Sequence, residues 1–140
     1  MKVSARWVRD VMFVGEAGSG HALIMDGDPQ AGGHNLGPRP MEMVLLGLAG
    51  CTGFDVVQIL AKARQPVMDC VVEVSAERST SVPKVFTGIH VHYVVSGRGL
   101  AEHQVHRAVQ LSAEKYCSVS VMLGKTATMT HDFEIVDAES

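Results

Sequence analysis

Three cysteines are the side chains of this 140-residue chain best suited to redox chemistry. Cys51 lies in the run Ala-Gly-Cys-Thr-Gly, whose small residues leave space around the sulfur as a reactive thiol requires; a packed helix cysteine is the alternative. Cys117 is followed by two nearby serines, which favour a helix break or cap, and a helix N-terminus beside a thiol lowers its pKa. Cys70 falls on the apolar face of an alternating segment and is predicted to be an inert core residue. Because an odd number of dispersed cysteines does not form a secreted disulfide framework, pairing among them would indicate redox chemistry.

Two histidine pairs have spacings that could chelate a metal ion. His90 and His92 lie two apart in a predicted strand, and His103 and His106 lie three apart in a predicted helix. Both pairs fall on faces assigned to solvent, and no cysteine or carboxylate cluster has zinc-ligand spacing. The sequence therefore favours solvated histidines and predicts no metal site. It also lacks the P-loop, dinucleotide and nucleophile-elbow fingerprints, so no cofactor is expected.

The composition excludes several classes of function. Apolar residues make up 46% of the chain and charged residues only 19%, below the roughly 25% usual for globular domains. With a net charge of −3 and no basic cluster, nucleic-acid binding is not expected. The apolar run Met43–Phe54 is shorter than the roughly 20 residues of a membrane span. The charged N-terminus does not resemble a signal peptide, so a cytoplasmic location is the default expectation. The apolar excess implies either a large core or a partner that covers part of the surface.

The elements that must position these residues are predicted from hydrophobic periodicity. Helices are expected wherever apolar residues recur every three or four positions, and strands wherever they alternate. A long Gly- and Pro-rich loop, Asp26–Pro40, separates the first strands from the first helix. The predicted order is β-β-β-α-β-β-α-β, an α+β class with antiparallel sheets in one domain, residues 1–140. The predicted elements are strands Lys2–Val8, Val11–Gly15 and His21–Asp26, helix Met41–Arg64, strands Val67–Arg78 and Lys84–Ser96, helix Leu100–Tyr116, and strand Lys125–Val136.

The inward faces of these elements follow from the same patterns. The first helix is apolar nearly all round, which predicts that other elements cover it on several sides. Its glycines at 47, 50 and 53 suggest the close approach of another backbone or a ligand. Chance glycines in a packed helix are the alternative. The remaining predicted inward residues are Met68, Cys70, Val72, Val74 and Ala76 on one strand, Val85, Ile89, Val91, Tyr93 and Val95 on the next, Ala101, Val105, Ala108, Val109, Ser112 and Tyr116 on the second helix, and Ala127, Met129, Phe133 and Ile135 on the last strand.

Two segments resemble a known family. A Pro-rich loop leads through Pro40-Met41-Glu42 into the apolar helix that bears Cys51, and the second helix ends in the sequence EKYCSVS around Cys117. With the hairpin between them, this arrangement resembles the OsmC/Ohr family of osmotically inducible and organic hydroperoxide resistance proteins, and most closely its YhfA-like branch. The resemblance covers nearly the whole chain.

The resemblance implies an intertwined homodimer with antiparallel sheets around central helices and active sites at the dimer interface. It implies a thiol-dependent hydroperoxide reductase in which Cys51 resembles the peroxidatic cysteine and Cys117 the resolving one. Glu42 and Arg39 are the implied supporting residues. The implied partners are a hydroperoxide substrate and a dithiol reductant, without haem, flavin or metal.

The sequence departs from the family pattern at the supporting residues. Met41 occupies the position of the family's catalytic glutamate and Glu42 follows it, which rotates the side chain by about 100° on a helix. The turn Gly15–His21, where the peroxidases carry an arginine, contains none, and Arg39 is favoured over Arg6 and Arg9 as its substitute. These departures keep two alternatives open: a non-catalytic redox sensor or hydrophobic small-ligand-binding protein on the same scaffold, and a purely structural dimer.

Overall fold

The computed structural model describes residues 1–138, which fall into two compact units. The first unit comprises residues 1–45, and the second begins at Leu46. The boundary lies inside the first long helix.

The first unit is built on a three-stranded antiparallel sheet. Its strands are β1 (Val3–Arg9), β2 (Met12–Ala17) and β3 (Ala22–Met25), in the order β1-β2-β3. Gly20 lies in the turn between β2 and β3 with a φ of +92°, a backbone conformation that residues with side chains rarely adopt. The predicted loop follows, and within it only Pro29–Ala31 form a short 3-10 turn. The three predicted strands and the loop are therefore confirmed.

Asp26 organises that loop from its buried end. Its carboxylate accepts backbone N–H groups from Gly27 at 2.7 Å, His34 at 3.1 Å and Leu36 at 3.1 Å. Burial acts to raise the pKa of Asp26, but these three donors outweigh it and hold the pKa below its usual value. Gly33 is required in the same loop because a Cβ there would overlap the Gly27 carbonyl group.

Helix α1 (Pro40–Lys62) buries only one stripe within the described chain. That stripe, with a spacing of four residues, consists of Leu48, Thr52, Val56 and Leu60. Large apolar side chains elsewhere on α1 remain exposed, including Leu46 at 57% and Phe54 at 63%. The expected cover on several sides is therefore absent within the described part of a single chain.

Helix α1 also has the length and composition of a membrane-crossing helix. It has 23 residues, and its most apolar 18-residue window has a mean hydropathy of 1.8 and is 22% buried. The apolar run Met43–Phe54 alone is shorter than a membrane span. The whole helix has the length and hydropathy of one, as the core helices of many globular proteins do. Thr52 of α1 is hydrogen-bonded to Tyr93 and Ser112 of the same unit, so α1 packs into the protein.

The second unit contains a mixed three-stranded sheet in the order β4-β5-β6. Strands β4 (Val67–Arg78) and β5 (Phe86–Gly97) form the predicted antiparallel hairpin. Strand β6 (Thr128–Asp137) pairs with β5 in parallel, which differs from the antiparallel expectation. The difference arises because helices connect β5 to β6, and a helical crossover permits parallel pairing where a tight turn would not. The α+β class is confirmed.

The strand faces are predicted correctly except beside two irregularities in the β4–β5 ladder. The alternating residues Ile89, Val91, Tyr93 and Val95 are all buried, as expected. Met68, expected inside, is 60% exposed because the register shifts between Val67 and Asp69. Val85 is likewise 50% exposed and Phe86 is buried in its place, beside the shift at Arg78.

The second predicted helix is divided into three parts. Helix α2 (Glu102–Leu111) leads into a single π-helical turn, Ser112–Tyr116, and after Cys117 helix α3 (Ser118–Leu123) begins. The inner stripe of α2, including Val105, Ala108 and Val109, is buried as predicted. Tyr116 is 53% exposed rather than inside, because the wider π turn rotates it out of the 3.6-residue periodicity.

Candidate functional site

Cys51 lies at the middle of α1, between exposed and buried surface. It is half-buried, and its neighbour Gly50 is exposed, with no atom within 4 Å of the position that a Cβ would occupy. On its other side, Thr52 is fully buried. The surface of α1 is therefore open at Gly50, next to Cys51, whereas a Cβ added at Gly53 would lie 3.2 Å from Val72 Cγ2.

Cys117 is fully buried and caps a helix, as its following serines predict. Its Sγ accepts the backbone N–H of Ser120 at 3.4 Å, which places Cys117 at the N-cap of α3. The pKa of its thiol is nevertheless raised to about 11, which is opposite to the expected effect of a helix N-terminus. Burial is the largest cause, the Ser120 N–H opposes it, and a hydrogen bond and charge interaction with the Cys51 side chain raise the pKa further.

The interaction with Cys51 means that the second unit brings the two predicted redox cysteines together from positions 66 residues apart in sequence. Because the pKa of Cys117 lies about four units above neutral pH, its thiolate fraction at pH 7 is on the order of 10⁻⁴. Cys117 is therefore almost entirely protonated at neutral pH.

A buried chain of hydroxyl groups lies beside these cysteines and was not predicted as part of the site. Thr52 Oγ1 lies 2.7 Å from the Tyr93 hydroxyl and 2.7 Å from Ser112 Oγ, and Ser112 Oγ donates to Asp55 Oδ2 at 2.9 Å. Thr52, Tyr93 and Ser112 are each 0% exposed. The available signal was polar residues at inward positions: Tyr93 and Ser112 lie on predicted core faces, and Asp55 ends the apolar run of α1.

Cys70 is half-buried rather than a core residue. It lines a groove of about 650 Å³ beside α1, together with Leu46, Phe54 and Val72. Burial and, to a lesser extent, the neighbouring Asp69 carboxylate raise the pKa of the Cys70 thiol. A raised pKa makes this cysteine a poor nucleophile at neutral pH, as expected for a cysteine without a catalytic role.

Arg39 and Glu42 both lie in the first unit, where local hydrogen bonds engage them. The Arg39 guanidinium donates to Asn35 Oδ1 at 2.6 Å and to the Gly37 carbonyl at 3.3 Å. Glu42 Oε1 accepts the backbone N–H of Arg39 at 2.9 Å, the bond by which a carboxylate in the first turn caps a helix that starts with proline. These contacts give both side chains a structural role in the loop and at the start of α1.

The histidines predicted to be solvated form hydrogen bonds on the outer face of the second sheet. His90 Nε2 and His92 Nδ1 lie 2.8 Å and 2.7 Å from the same oxygen, Asp132 Oδ1, and His92 Nε2 lies 3.2 Å from Glu134 Oε1. The hydrogen bond with Asp132, followed by that with Glu134, raises the pKa of His92. Within residues 1–138, no group of three or more His, Cys, Asp or Glu side chains is arranged to hold a metal ion.

Comparison with known proteins assigns this arrangement to a family. Residues 32–132, most of the chain, match the family model for OsmC-like protein. The chain belongs to the OsmC-like family. It is 47% identical over 138 residues to the protein YhfA of Escherichia coli K12, a match that covers 99% of this chain and all of YhfA.

Solved structures of OsmC-like proteins have the same fold. A hypothetical protein from Aquifex aeolicus, 29% identical, superposes with a TM-score of 0.86 and covers 99% of this chain and 97% of its own. An organic hydroperoxide resistance protein OsmC from Legionella pneumophila, 16% identical, superposes with a TM-score of 0.72 over 95% of each chain. The family resemblance read from the Cys51 and Cys117 segments is thereby confirmed, and the fold is that of OsmC-like proteins.

Proposed function

We propose that this OsmC-like protein is a thiol-dependent reductase of organic hydroperoxides that uses Cys51 and Cys117 as a redox pair. The observation that carries the proposal is that the Cys51 side chain lies near enough to Cys117, within the second unit, to raise the pKa of the Cys117 thiol. The fold shared with a hydroperoxide resistance protein supports it.

The reaction balances with these two thiols alone. The Cys51 thiolate attacks the outer peroxide oxygen, the O–O bond breaks, and the product alcohol leaves while Cys51 becomes a sulfenic acid. The Cys117 sulfur then displaces water from that sulfenic acid to form a disulfide. Two electrons have passed from sulfur to the peroxide, and an external dithiol restores both thiols by thiol–disulfide exchange.

The roles of the two cysteines follow from their surroundings. Cys51 is half-buried whereas Cys117 is fully buried, so peroxide reaches Cys51 first. Cys117 is buried and protonated at neutral pH, so it reacts second. Arg39 and Glu42 hold the loop and the start of α1 in the first unit.

The test is a thiol count on reduced protein titrated with cumene hydroperoxide. We expect rapid loss of two thiols per chain, abolished by Cys51→Ser. Cys70→Ser is the matched control, because it removes a half-buried thiol outside the pair and leaves the loss of two thiols unchanged. Three intact thiols in the wild-type protein at millimolar peroxide would contradict the proposal.

We also propose that the active protein is a homodimer of single OsmC-like domains, residues 1–140, in the cytoplasm. The apolar side chains of α1 and β4 that remain open, Leu46, Phe54 and Met68, exceed what a small monomer usually exposes. The open side of Gly47 and Gly50 on α1 suits the close approach of a second helix. Free cysteines are typical of a reducing compartment, which supports the cytoplasmic location.

Replacement of Gly50 by leucine tests the dimer. The wild-type protein should sediment as a dimer of the 15.0 kDa chain, and Gly50→Leu should weaken it because the new side chain fills the face where the partner packs. Gln110→Leu is the control, since it places the same side chain on an exposed position of α2. A wild-type monomer at micromolar concentration would refute the dimer.

A second candidate function is a redox sensor or a protein that binds small hydrophobic ligands. The observation in its favour is that Arg39 and Glu42 are engaged by Asn35, Gly37 and the helix cap, while an apolar groove lies beside α1. Retention of all thiols in the cumene hydroperoxide titration would favour this function over the reductase.

A further inference from the structure

The directions of the buried hydroxyl hydrogen bonds are fixed by the group at the end of the chain. Ser112 Oγ donates to Asp55 Oδ2 at 2.9 Å, with the Thr52 carbonyl as a second acceptor at 3.3 Å, so its one hydroxyl proton is used there. Thr52 must then donate to Ser112 Oγ, and Tyr93 must donate to Thr52 Oγ1. Every hydroxyl donates once, and each bond is polarised by the next toward the carboxylate.

This chain joins the two segments that carry the redox cysteines. Thr52 directly follows Cys51 on α1, and Ser112 begins the π turn that ends just before Cys117. The carbonyl of Ser112 also accepts the backbone N–H of Cys117 at 2.9 Å. Ser112 therefore holds α1 with its side chain and Cys117 with its backbone.

The π turn connects Ser112, which bonds to α1 through Thr52 Oγ1, the Thr52 carbonyl and Asp55 Oδ2, to Cys117. Isolated π turns are uncommon and often lie at functional sites, because their wider ring is held by surrounding contacts. Here the ring from Ser112 to Cys117 is fixed at one end by the bond from Thr52 and at the other by the Cys117 cap on Ser120. The separation of the two thiols depends on both ends.

We propose that Thr52 and Ser112 are positioning residues for the Cys51–Cys117 pair, and that the 2.7 Å hydrogen bond between them sets how readily the two thiols form a disulfide. This inference rests on the proposed function, because it needs the pair to be redox-active. Disulfide formation demands a narrow range of separations and torsions, so a loosened π turn lowers the effective concentration of one thiol at the other.

The experiment measures the dithiol–disulfide equilibrium of the intact protein in mixtures of reduced and oxidised dithiothreitol, with thiols counted by alkylation and mass. Thr52→Val removes the hydroxyl at nearly constant shape and should shift the equilibrium about threefold to tenfold toward the dithiol, the worth of one hydrogen bond. Thr52→Ser restores the hydroxyl and should return the equilibrium to within about twofold of the wild type.

Tyr93→Phe is the matched control for general loosening of the core. It removes the first hydroxyl of the chain but keeps the bond between Thr52 and Ser112, so its disulfide equilibrium should match the wild type even if its urea midpoint falls. Ser112→Ala, which removes the same bond together with those to Asp55 and the Thr52 carbonyl, is the second variant if Thr52→Val does not fold.

Each outcome decides between the two proposals. A wild-type protein that forms the disulfide, with an unshifted equilibrium in Thr52→Val, overturns the positioning role and leaves the reductase standing. An equal shift in Tyr93→Phe also overturns it, because general loosening would then explain the effect. A wild-type protein that forms no Cys51–Cys117 disulfide at any dithiothreitol ratio overturns the proposed redox pair, and the positioning role with it.

Discussion

The raised pKa of Cys117 makes the stability of the reduced protein fall at alkaline pH by an amount that can be calculated. The thiol titrates near 9.0 in the unfolded chain and near 11 in the folded protein. Below pH 9 both states hold the proton, and between pH 9 and 11 only the folded state does. The unfolded state then binds fewer protons, so the free energy of unfolding falls as pH rises, by about 1.4 kcal/mol per pH unit.

The stabilisation that this one thiol contributes below pH 9 is lost as pH passes through the folded-state pKa. Two units of pKa difference correspond to about 3 kcal/mol in full, and to about 2 kcal/mol between pH 8 and pH 10.5, where the folded thiol is still mostly protonated. Because the side chain is fully buried, solvent does not screen this contribution.

The assay is urea unfolding under reducing conditions at both pH values, for the wild type and Cys117→Ser. Serine keeps a hydrogen-bond acceptor for the Ser120 N–H but does not titrate in this range, so the difference in unfolding free energy between the two proteins isolates the thiol. Tyr93 and Cys70, whose pKa values are also raised by burial, are present in both proteins. As pH rises from 8 to 10.5, the free energy of unfolding of the wild type should fall by about 2 kcal/mol relative to that of Cys117→Ser.

Two results would refute the reasoning behind this prediction. A difference that is the same at both pH values would mean that burial does not keep the Cys117 thiol protonated. Loss of the whole effect in Cys51→Ser would mean that the interaction with Cys51, and not burial, is the dominant cause. We expect Cys51→Ser to retain most of the pH dependence, since burial is the larger cause.

Three further predictions follow from the site and its surroundings. After Cys51 is oxidised, disulfide formation should accelerate with rising pH, by about tenfold per unit at most, because burial raises the pKa of the Cys117 thiol. Stopped-flow measurement at constant peroxide checks this, and a flat profile would mean that Cys117 is not the second thiol. Asp132→Asn should lower the pKa of His92 toward its ordinary value in an NMR titration, because the hydrogen bond with Asp132 is the largest cause of the raised pKa. In the wild type, the stability that this pair contributes is lost as pH rises through the raised His92 pKa. Gly33→Ala should destabilise the protein by about 1–3 kcal/mol in urea unfolding, because the added Cβ overlaps the Gly27 carbonyl, whereas Gly32→Ala meets no neighbour and tests only the cost of its positive φ.

Alternation and helical periodicity were sufficient to predict the strands and helices, because each of these elements buries one face. The core residues Ile89 to Val95 on β5 follow strict alternation and are buried as predicted. Met68 and Val85 fail for a local reason, since a register shift adds a residue to one strand and reverses the facing of its neighbours. Such shifts depend on cross-strand pairing and leave no mark on the periodicity of either strand alone.

The π turn could not be predicted from helical periodicity for a related reason. The inner stripe of α2 continues through Ser112, so the pattern favours one helix to Tyr116. The turn widens there because Cys117 bonds back to Ser112 five residues earlier, an arrangement stabilised by contacts with Thr52, 60 residues away. The cysteines were found because the segments that resemble the family, around Cys51 and Cys117, are each continuous in sequence. The residues of the hydroxyl chain are far apart in sequence and meet only in the fold.

The pKa of a buried group depends on how many donors the fold directs at it, and Asp26 and Cys117 show this in the same protein. Both are nearly or fully buried, and burial opposes ionisation in both. Asp26 receives three backbone N–H groups and its pKa is lowered. Cys117 receives the Ser120 N–H at 3.4 Å with only a lesser contribution from Val119, and its pKa rises. The helix-cap signal after Cys117 correctly predicts a donor but not the balance of donors against burial. That balance keeps Cys117 protonated at neutral pH.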